Sequence, residues 1–319
     1  MKAVQNSMKG FAGSNFVQQR LWSWRPVFTP PAFLIIDIII AVLFFVIGAL
    51  TFIANDNIKD ASVRYDNLCA VGEVCNVTLH VDEKIEGKIN FYYKLTNFHQ
   101  NQRRYVISRS DDQLAGKYVK FDDLVNCKPL RGIDDSEDQM LLPCGLAPLT
   151  FFNDTYSIDA DLPFSDNDIA WKSDIENVYK PLSSEYKNGI RYLEENYNES
   201  FPGGQTNQHF IVWMRPSALS TFVKLYAKCD DCTMEAGDYT IMIHNNYPTD
   251  GFNGEKWILV SRDSNIGTKN QFFAIACFIV GGVAVVACVF MAILILISPR
   301  KRGDLELIEE LIRQHAEKK

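Results

Sequence analysis

FFAIACFIVGGVAVVACVFMAILILI, running from Phe272 to Ile297, contains no charged side chain. A helix needs about 20 apolar residues to cross roughly 30 Å of hydrocarbon, and this run is long enough. A second run, AFLIIDIIIAVLFFVIGALTFIA from Ala32 to Ala54, carries one charge, Asp37, near its start. It exceeds the apolar stretch of about 7–15 residues typical of a cleaved secretory signal, so it reads as a retained anchor. The two runs divide the chain into a tail (1–31), a first span (32–54), a large loop (55–271), a second span (272–297) and a second tail (298–319).

Charge orients the spans. The first tail carries Lys2, Lys9, Arg20 and Arg25 and no acid, and the second span is followed at once by Arg300, Lys301 and Arg302. Basic short flanks stay in the cytosol, so both tails are expected there and the loop outside or in a lumen. Trp22 and Trp24 precede the first span, where interfacial aromatic residues are expected. Six of the eight cysteines lie in the loop: Cys69, Cys75, Cys127, Cys144, Cys229 and Cys232. An even number in an exported region reads as a disulfide framework. The glycosylation signals at Asn76, Asn153 and Asn198 also fall in the loop, which implies N-linked glycans.

The loop is long enough for one domain with its own core. Strand-like pieces appear at Lys88–Leu95, Phe210–Met214, Thr221–Ala227, Tyr239–His244 and Lys256–Ser261, separated by turn-forming stretches such as Asn245–Gly254. Their spacing predicts an antiparallel sandwich. Residues Asn126–Gly204 are richer in Pro, Asp and Asn and predict long ordered loops, with a short helix near Ser184–Glu195. Phe210–Met214 reads as a core strand ended by Pro216, which cannot donate to a ladder. Arg215 is then either a surface arginine or a buried one paired with an acid.

Catalytic motifs are missing: no phosphate-binding glycine loop, no paired zinc histidines, no nucleophile elbow. The five histidines are scattered singly. The net charge of −7 gives no reason to expect a nucleic-acid partner. Cys229-Asp-Asp-Cys232 resembles a redox pair, but two carboxylates between the sulfurs oppose thiolate formation, so it reads as a structural disulfide clipping a hairpin. In the second span Cys277, Gly281, Ala284, Cys288 and Ala292 share one helical face. Small faces let membrane helices approach closely; this one packs either on the first span, which offers Ala41 and Gly48, or on a partner. Asp304 predicts the start of an amphipathic helix over Leu305–Glu317.

Several stretches together resemble one family. They are QQRLWSWRPVFTP (Gln18–Pro30), FYYKLTNFHQNQRRYVISRSDDQLAG (Phe91–Gly116), PCGLAPLTFFNDTYSI (Pro143–Ile158), IAWKSD (Ile169–Asp174), NQHFIVWMRPSALSTFVKLYAK (Asn207–Lys228) and GDYTIMIHNNYPTDGFNGEKWILVS (Gly237–Ser261). In this order they are similar to the cell-division-control-protein-50 family, the β-subunits of type IV P-type ATPase phospholipid flippases. The resemblance implies a membrane protein with two transmembrane helices and a large β-rich lumenal or extracellular domain, an antiparallel sandwich with long disulfide-tied loops. It implies no enzyme activity and no cofactor, a catalytic ATPase subunit and the phospholipid bilayer as partners, and a role in folding, endoplasmic-reticulum exit and transport by that ATPase. The resemblance and local spacing imply the pairs Cys69–Cys75, Cys127–Cys144 and Cys229–Cys232. They also imply that Trp213 and a buried, paired Arg215 order the sandwich. Departures are the two-cysteine early cluster, Cys229–Cys232 itself, GLAP after Cys144 and GTKN at Gly267–Asn270. Two other readings share this topology: a subunit of a two-span ion channel with a large ectodomain, and a ligand-binding receptor. A thiol oxidoreductase using Cys229 and Cys232 is a third, opposed by its acidic spacer.

Overall fold

A computed structural model describes residues 30–158, 162–264, 269–297, 310 and 313–315. The expected helix over Leu305–Glu317 lies largely outside these residues, as does Gln18–Pro30 except for Pro30. Contacts divide the chain into two compact units. One comprises residues up to Phe52 and from Gln271 onward; the other is Ile53–Asn270.

The first unit is built on two long helices, α1 (Pro30–Asp56) and α8 (Phe272–Ile297). Both are long and apolar enough to cross a membrane. Most of their Ile, Val, Leu and Phe side chains are exposed, and only an apolar solvent makes such a surface favourable.

The second unit is a sandwich with a helical and looped lobe. One sheet has the order β1 (Asp60–Arg64), β7 (Lys256–Arg262), β3 (Ile85–Leu95), β5 (Phe222–Met234); the other has β2 (Glu73–Val81), β6 (Gly237–Asn245), β4 (Thr155–Ile158). Every pairing is antiparallel. The strands follow from period-two patterning. In β2, Val77, Leu79 and Val81 are buried while Asn76, Thr78 and His80 are exposed. Opposite them Ile241 and Ile243 of β6 point inward. These side chains meet Ile85, Ile89, Phe91, Met234, Ile258 and Val260 from the other sheet. Each such buried side chain contributes about 1.5–3 kcal/mol.

The strand expected at Phe210–Met214 is a helix, α7 (Gln208–Met214). The Asn207 side chain accepts the backbone N–H groups of His209 at 2.9 Å and Phe210 at 3.4 Å, an N-cap. His209, Phe210, Ile211, Trp213 and Met214 are all buried. Only Gln208 and Val212 are half-buried; in so short a helix one half-open face gives no readable period, and the apolar run cannot be told from a core strand. Around it gather α2 (Arg103–Ile107), α3 (Asp111–Leu114), α4 (Leu146–Leu149), α5 (Lys172–Asn177) and α6 (Tyr192–Tyr197). The helix expected near Ser184–Glu195 is α6, which starts only at Tyr192. Before it, Gly189 has φ +118° and Ile190 bridges Leu141, so the chain there is extended. This lobe has its own core, centred on Trp213 with Phe151, Phe152, Phe210 and Leu142.

Cys229 and Cys232 do not join two strands of a hairpin; both lie within β5. Gly87 pairs with Cys232 and Ile89 with Cys229, so Asp230 and Asp231 together oppose Lys88. The disulfide closes a β-bulge. Both sulfurs' residues are buried, and the two acids face water.

Where the sheets meet at one end lies a buried ion pair. Lys256 Nζ is 2.8 Å from Asp154 Oδ2, and their side chains are 1% and 0% exposed. Lys256 also donates to Asn245 Oδ1 and the Tyr247 carbonyl. Asp154 accepts the Tyr65 hydroxyl at 2.7 Å and the N–H groups of Asn246 and Tyr247 at 2.6 Å each. Tyr65 contacts the Tyr156 hydroxyl at 2.7 Å, and Asn245 donates to the Cys69 carbonyl at 2.7 Å. Burial drives the Tyr65 phenol well above its ordinary value and the Lys256 ammonium below its own. Removing one partner of a buried pair leaves an uncompensated charge, at a cost of about 3–5 kcal/mol. Lys256→Met is therefore expected to lower the melting temperature sharply. The double variant Asp154→Asn/Lys256→Met should recover part of the loss. A Lys256→Met melting curve matching the parent would remove this pair from the list of what holds the sheets together.

Candidate functional site

The end of α7 carries two of the residues singled out as structural or partner-facing, Trp213 and Arg215. A helix of seven residues leaves its last carbonyls unsatisfied, and here side chains from elsewhere take them. Lys224 of β5 donates to Val212 O at 3.1 Å and to Arg215 O. Gln100 donates to Trp213 O at 3.4 Å, and Arg109 to Met214 O at 3.3 Å. Gln100 also accepts the Ser217 N–H at 3.0 Å, fixing the exit of the chain. The Trp213 ring is buried, and its indole N–H donates to Ala147 O at 3.1 Å. Trp213 is thus a core residue of the lobe.

Arg215 is paired, but it is not buried. Its guanidinium meets Asp174 of α5 at 3.0 and 3.2 Å and stacks 4.0 Å from the centre of the Trp171 ring. The arginine side chain is 45% exposed and Trp171 is 64% exposed. The expectation of a buried arginine ordering the sandwich fails: Arg215 caps the C-terminal end of α7, on the side where its guanidinium reaches water. An exposed pair contributes about 0–1 kcal/mol. Arg215, Trp171 and Asp174 line one side of a groove of about 340 Å³ whose other wall is formed by Ile211, Val223 and Leu225.

Disulfides join Cys69 to Cys75, Cys127 to Cys144 and Cys229 to Cys232. Asn76 projects from the outer face of β2 and Asn198 follows α6, both exposed; Asn153 is half-buried beside Asp154. In the first unit, Gly48 and Gly281 each receive an aromatic ring from the other helix. A Cβ at Gly281 would stand 3.1 Å from the Phe45 ring, and one at Gly48 would stand 3.0 Å from Phe278. Ala284 is buried on this face, and Cys288 Sγ lies 3.9 Å from Leu34 O. The small-residue face of α8 therefore packs on α1. Among the described residues no group of three His, Cys, Asp or Glu side chains is placed to hold a metal.

The model of the LEM3 (ligand-effect modulator 3) family / CDC50 family matches residues 35–301. That interval takes in all but the first turn of α1, the whole sandwich and α8. The chain belongs to the CDC50 family. Among its relatives in this family, "ALA-interacting subunit 3" of Arabidopsis thaliana is 35% identical, over 95% of this chain and 91% of that protein. "Cell cycle control protein 50A" of Mus musculus is 32% identical over 84% of each. "Phospholipid-transporting ATPase accessory subunit CRF1" of Saccharomyces cerevisiae is 29% identical over 95% of this chain and 90% of that protein. Two apolar helices flanking a β-rich, disulfide-bonded domain fit a membrane protein of the CDC50 family.

Sequence reading missed Asp174, Trp171, Lys224, Gln100 and Arg109. All five fall within stretches that carry the family resemblance, where little sets them apart from their neighbours. Lys224 carried a faint signal, a lysine on the inward side of an alternating strand.

Two outcomes follow from these contacts. Burial, aided by the Arg215 charge, pushes Lys224 down to about 7, against about 10.4 in an unfolded chain. The folded state then binds fewer protons than the unfolded state between these values. The stabilisation from neutral Lys224 is complete above about 10.4 and is lost as pH falls toward 7. A neutral amine keeps two N–H groups for its two carbonyls. The melting temperature of the parent minus that of Lys224→Met should grow from pH 7 to pH 9; a constant difference would contradict this. In the helix pair, Gly281→Leu should lower the yield of folded protein, and adding Phe45→Ala should restore part of it. No rescue would mean that the Phe45 ring is not what the new side chain strikes.

Proposed function

We propose that this chain is the non-catalytic β-subunit of a phospholipid flippase, bound to a type IV P-type ATPase that moves phospholipid to the cytosolic leaflet. The observation that carries this reading is the length of the match. A protein named as an accessory subunit of a phospholipid-transporting ATPase aligns with nearly the whole chain, spans and ectodomain together. A domain held by buried aromatic clusters and disulfides, with no catalytic constellation read from the sequence, suits a partner that helps another protein fold and leave the endoplasmic reticulum. Both tails are cytosolic in this reading, because both short flanks are basic. The domain is lumenal or extracellular, where disulfides persist. N-linked glycans sit on Asn76, Asn153 and Asn198, and no other cofactor is required. The complex resides between the endoplasmic reticulum, the Golgi and endosomes, and the plasma membrane.

Affinity purification of the full chain from its own cells should bring down a large P-type ATPase; an intact, folded chain that recovers none would overturn the assignment. Two substitutions separate folding from contact. Trp213→Ala removes a buried ring at a cost of about 3–5 kcal/mol, comparable with the stability of a whole domain. It should leave both chain and ATPase in the endoplasmic reticulum. Arg215→Ala removes only an exposed pair and should leave the folded chain at near-normal levels. Its measurement is the amount of co-purified ATPase and the lipid-stimulated rate per assembled complex. Normal trafficking of Trp213→Ala with a collapsed rate would make that tryptophan a working contact.

A further inference from the structure

Within the apolar run of α1 stands one ionisable side chain, Asp37. Leu34, Asp37, Ala41 and Gly48 share one side of the helix, the side that meets α8. Ala41 is buried there, a Cβ at Gly48 would touch Phe278, and Leu34 O lies 3.9 Å from Cys288 Sγ. Asp37 is half-buried at this seam. Ala54 lies seventeen positions further along the same helix, a rise of about 25 Å. A hydrocarbon layer of about 30 Å that begins at the level of Ala54 therefore reaches past Asp37 by about 5 Å. On the other helix nine apolar residues, 289–297, continue beyond Cys288 toward the second tail. The carboxylate is thus inside the apolar layer, and its single methylene is too short to lift it to the surface as a lysine stem would.

A charge in hydrocarbon is costly unless another side chain neutralises it. Neither α1 nor α8 holds a lysine, arginine or histidine, so the helix pair offers Asp37 no ion pair. A second copy of the chain brings the same two helices and the same lack of a base. Serine, threonine or asparagine donors would hydrogen-bond to the carboxylate without cancelling its charge. We infer that a transmembrane helix of the partner ATPase lies along the seam between α1 and α8 and sets a lysine or arginine against Asp37 at this depth. The inference rests on the reading of this chain as a flippase β-subunit and adds to it the chemistry that selects the partner helix. Each chain alone carries an uncancelled charge in its span, and the two charges cancel only on assembly. An ATPase without that base leaves the carboxylate unpaired and is discriminated against.

The test uses the full chain expressed together with its ATPase. Asp37→Leu removes the charge from the span and should leave insertion and disulfide-bonded folding of the chain intact, since leucine enters the membrane more favourably than aspartate. Recovery of the ATPase with this variant should fall about tenfold or more, because the partner's base is left buried and unpaired. Asp37→Asn, which keeps the size and an acceptor, should lose less. A photo-crosslinking residue at Ile40, one turn from Asp37, should capture a transmembrane segment of the ATPase that contains a lysine or arginine. Replacing that base by leucine should restore part of the recovery lost in Asp37→Leu. Equal recovery of the ATPase with the parent and with Asp37→Leu would overturn the proposal and leave the assigned function standing. So would capture of an ATPase segment without a base, of the chain's own first tail with Arg20 and Arg25, or of a second copy. A parent chain that recovers no ATPase would overturn the assigned function and the proposal together.

Discussion

A lysine and an aspartate shut away from water tie the two sheets together, and much of the ectodomain depends on their being matched. Lys256 belongs to the first residue of β7, Asp154 to the residue before β4, and Asn245 to the last of β6. Each is a strand end, so the network sets where three strands stop and which way the chain leaves. Neither charge could be buried alone. The aspartate is satisfied by a hydroxyl, two backbone N–H groups and the ammonium together. A site so fully bonded tolerates few alternative geometries, and that is how a polar cluster specifies a structure that apolar contacts alone would leave looser.

The same principle recurs at the end of α7. Seven residues are too few for a self-sustaining helix in water. Asn207 closes one end, while Lys224, Gln100 and Arg109 close the other. The helix exists because the surrounding lobe supplies its missing bonds and buries Trp213. Its partners come from β5 and from the loop and turns that follow β3, so the helix is also a fastener between the lobe and the sandwich.

The parts of this fold legible in sequence were those with a local period or length. The two apolar runs became α1 and α8, and strand-like runs between turn signals announced β3, β5, β6 and β7. Strand β2 carries the same signal, with Cys75, Val77, Leu79 and Val81 at every second position between Gly72 and Asp82, although the strands read from the sequence do not include it. Strands β1 and β4 are too short to stand out. Phe210–Met214 reads as a strand because five apolar residues are too few to show a helical period, although Asn207 before it and Pro216 after it are helix boundary residues. The ion pair had no local signature at all: Asp154 sat inside a glycosylation signal, and Lys256 looked like the polar lip of a strand. Arg215 is paired as expected but exposed: its charge implies an acidic partner without saying which, and its depth is set only in the folded chain.

Asp60 of β1 lies opposite Ser261 of β7. The first strand of the ectodomain therefore has no hydrogen-bonded partner strand until nearly all of the domain has been synthesised. Its disulfides, by contrast, span 6, 17 and 3 positions, and each can close soon after its cysteines emerge. Such high contact order makes folding slow. A nascent chain would spend that interval with locally stapled segments and an open sheet edge, the state in which edge-to-edge aggregation is most dangerous. The topology thus sets a delay between the synthesis of the first strand and the pairing that protects it.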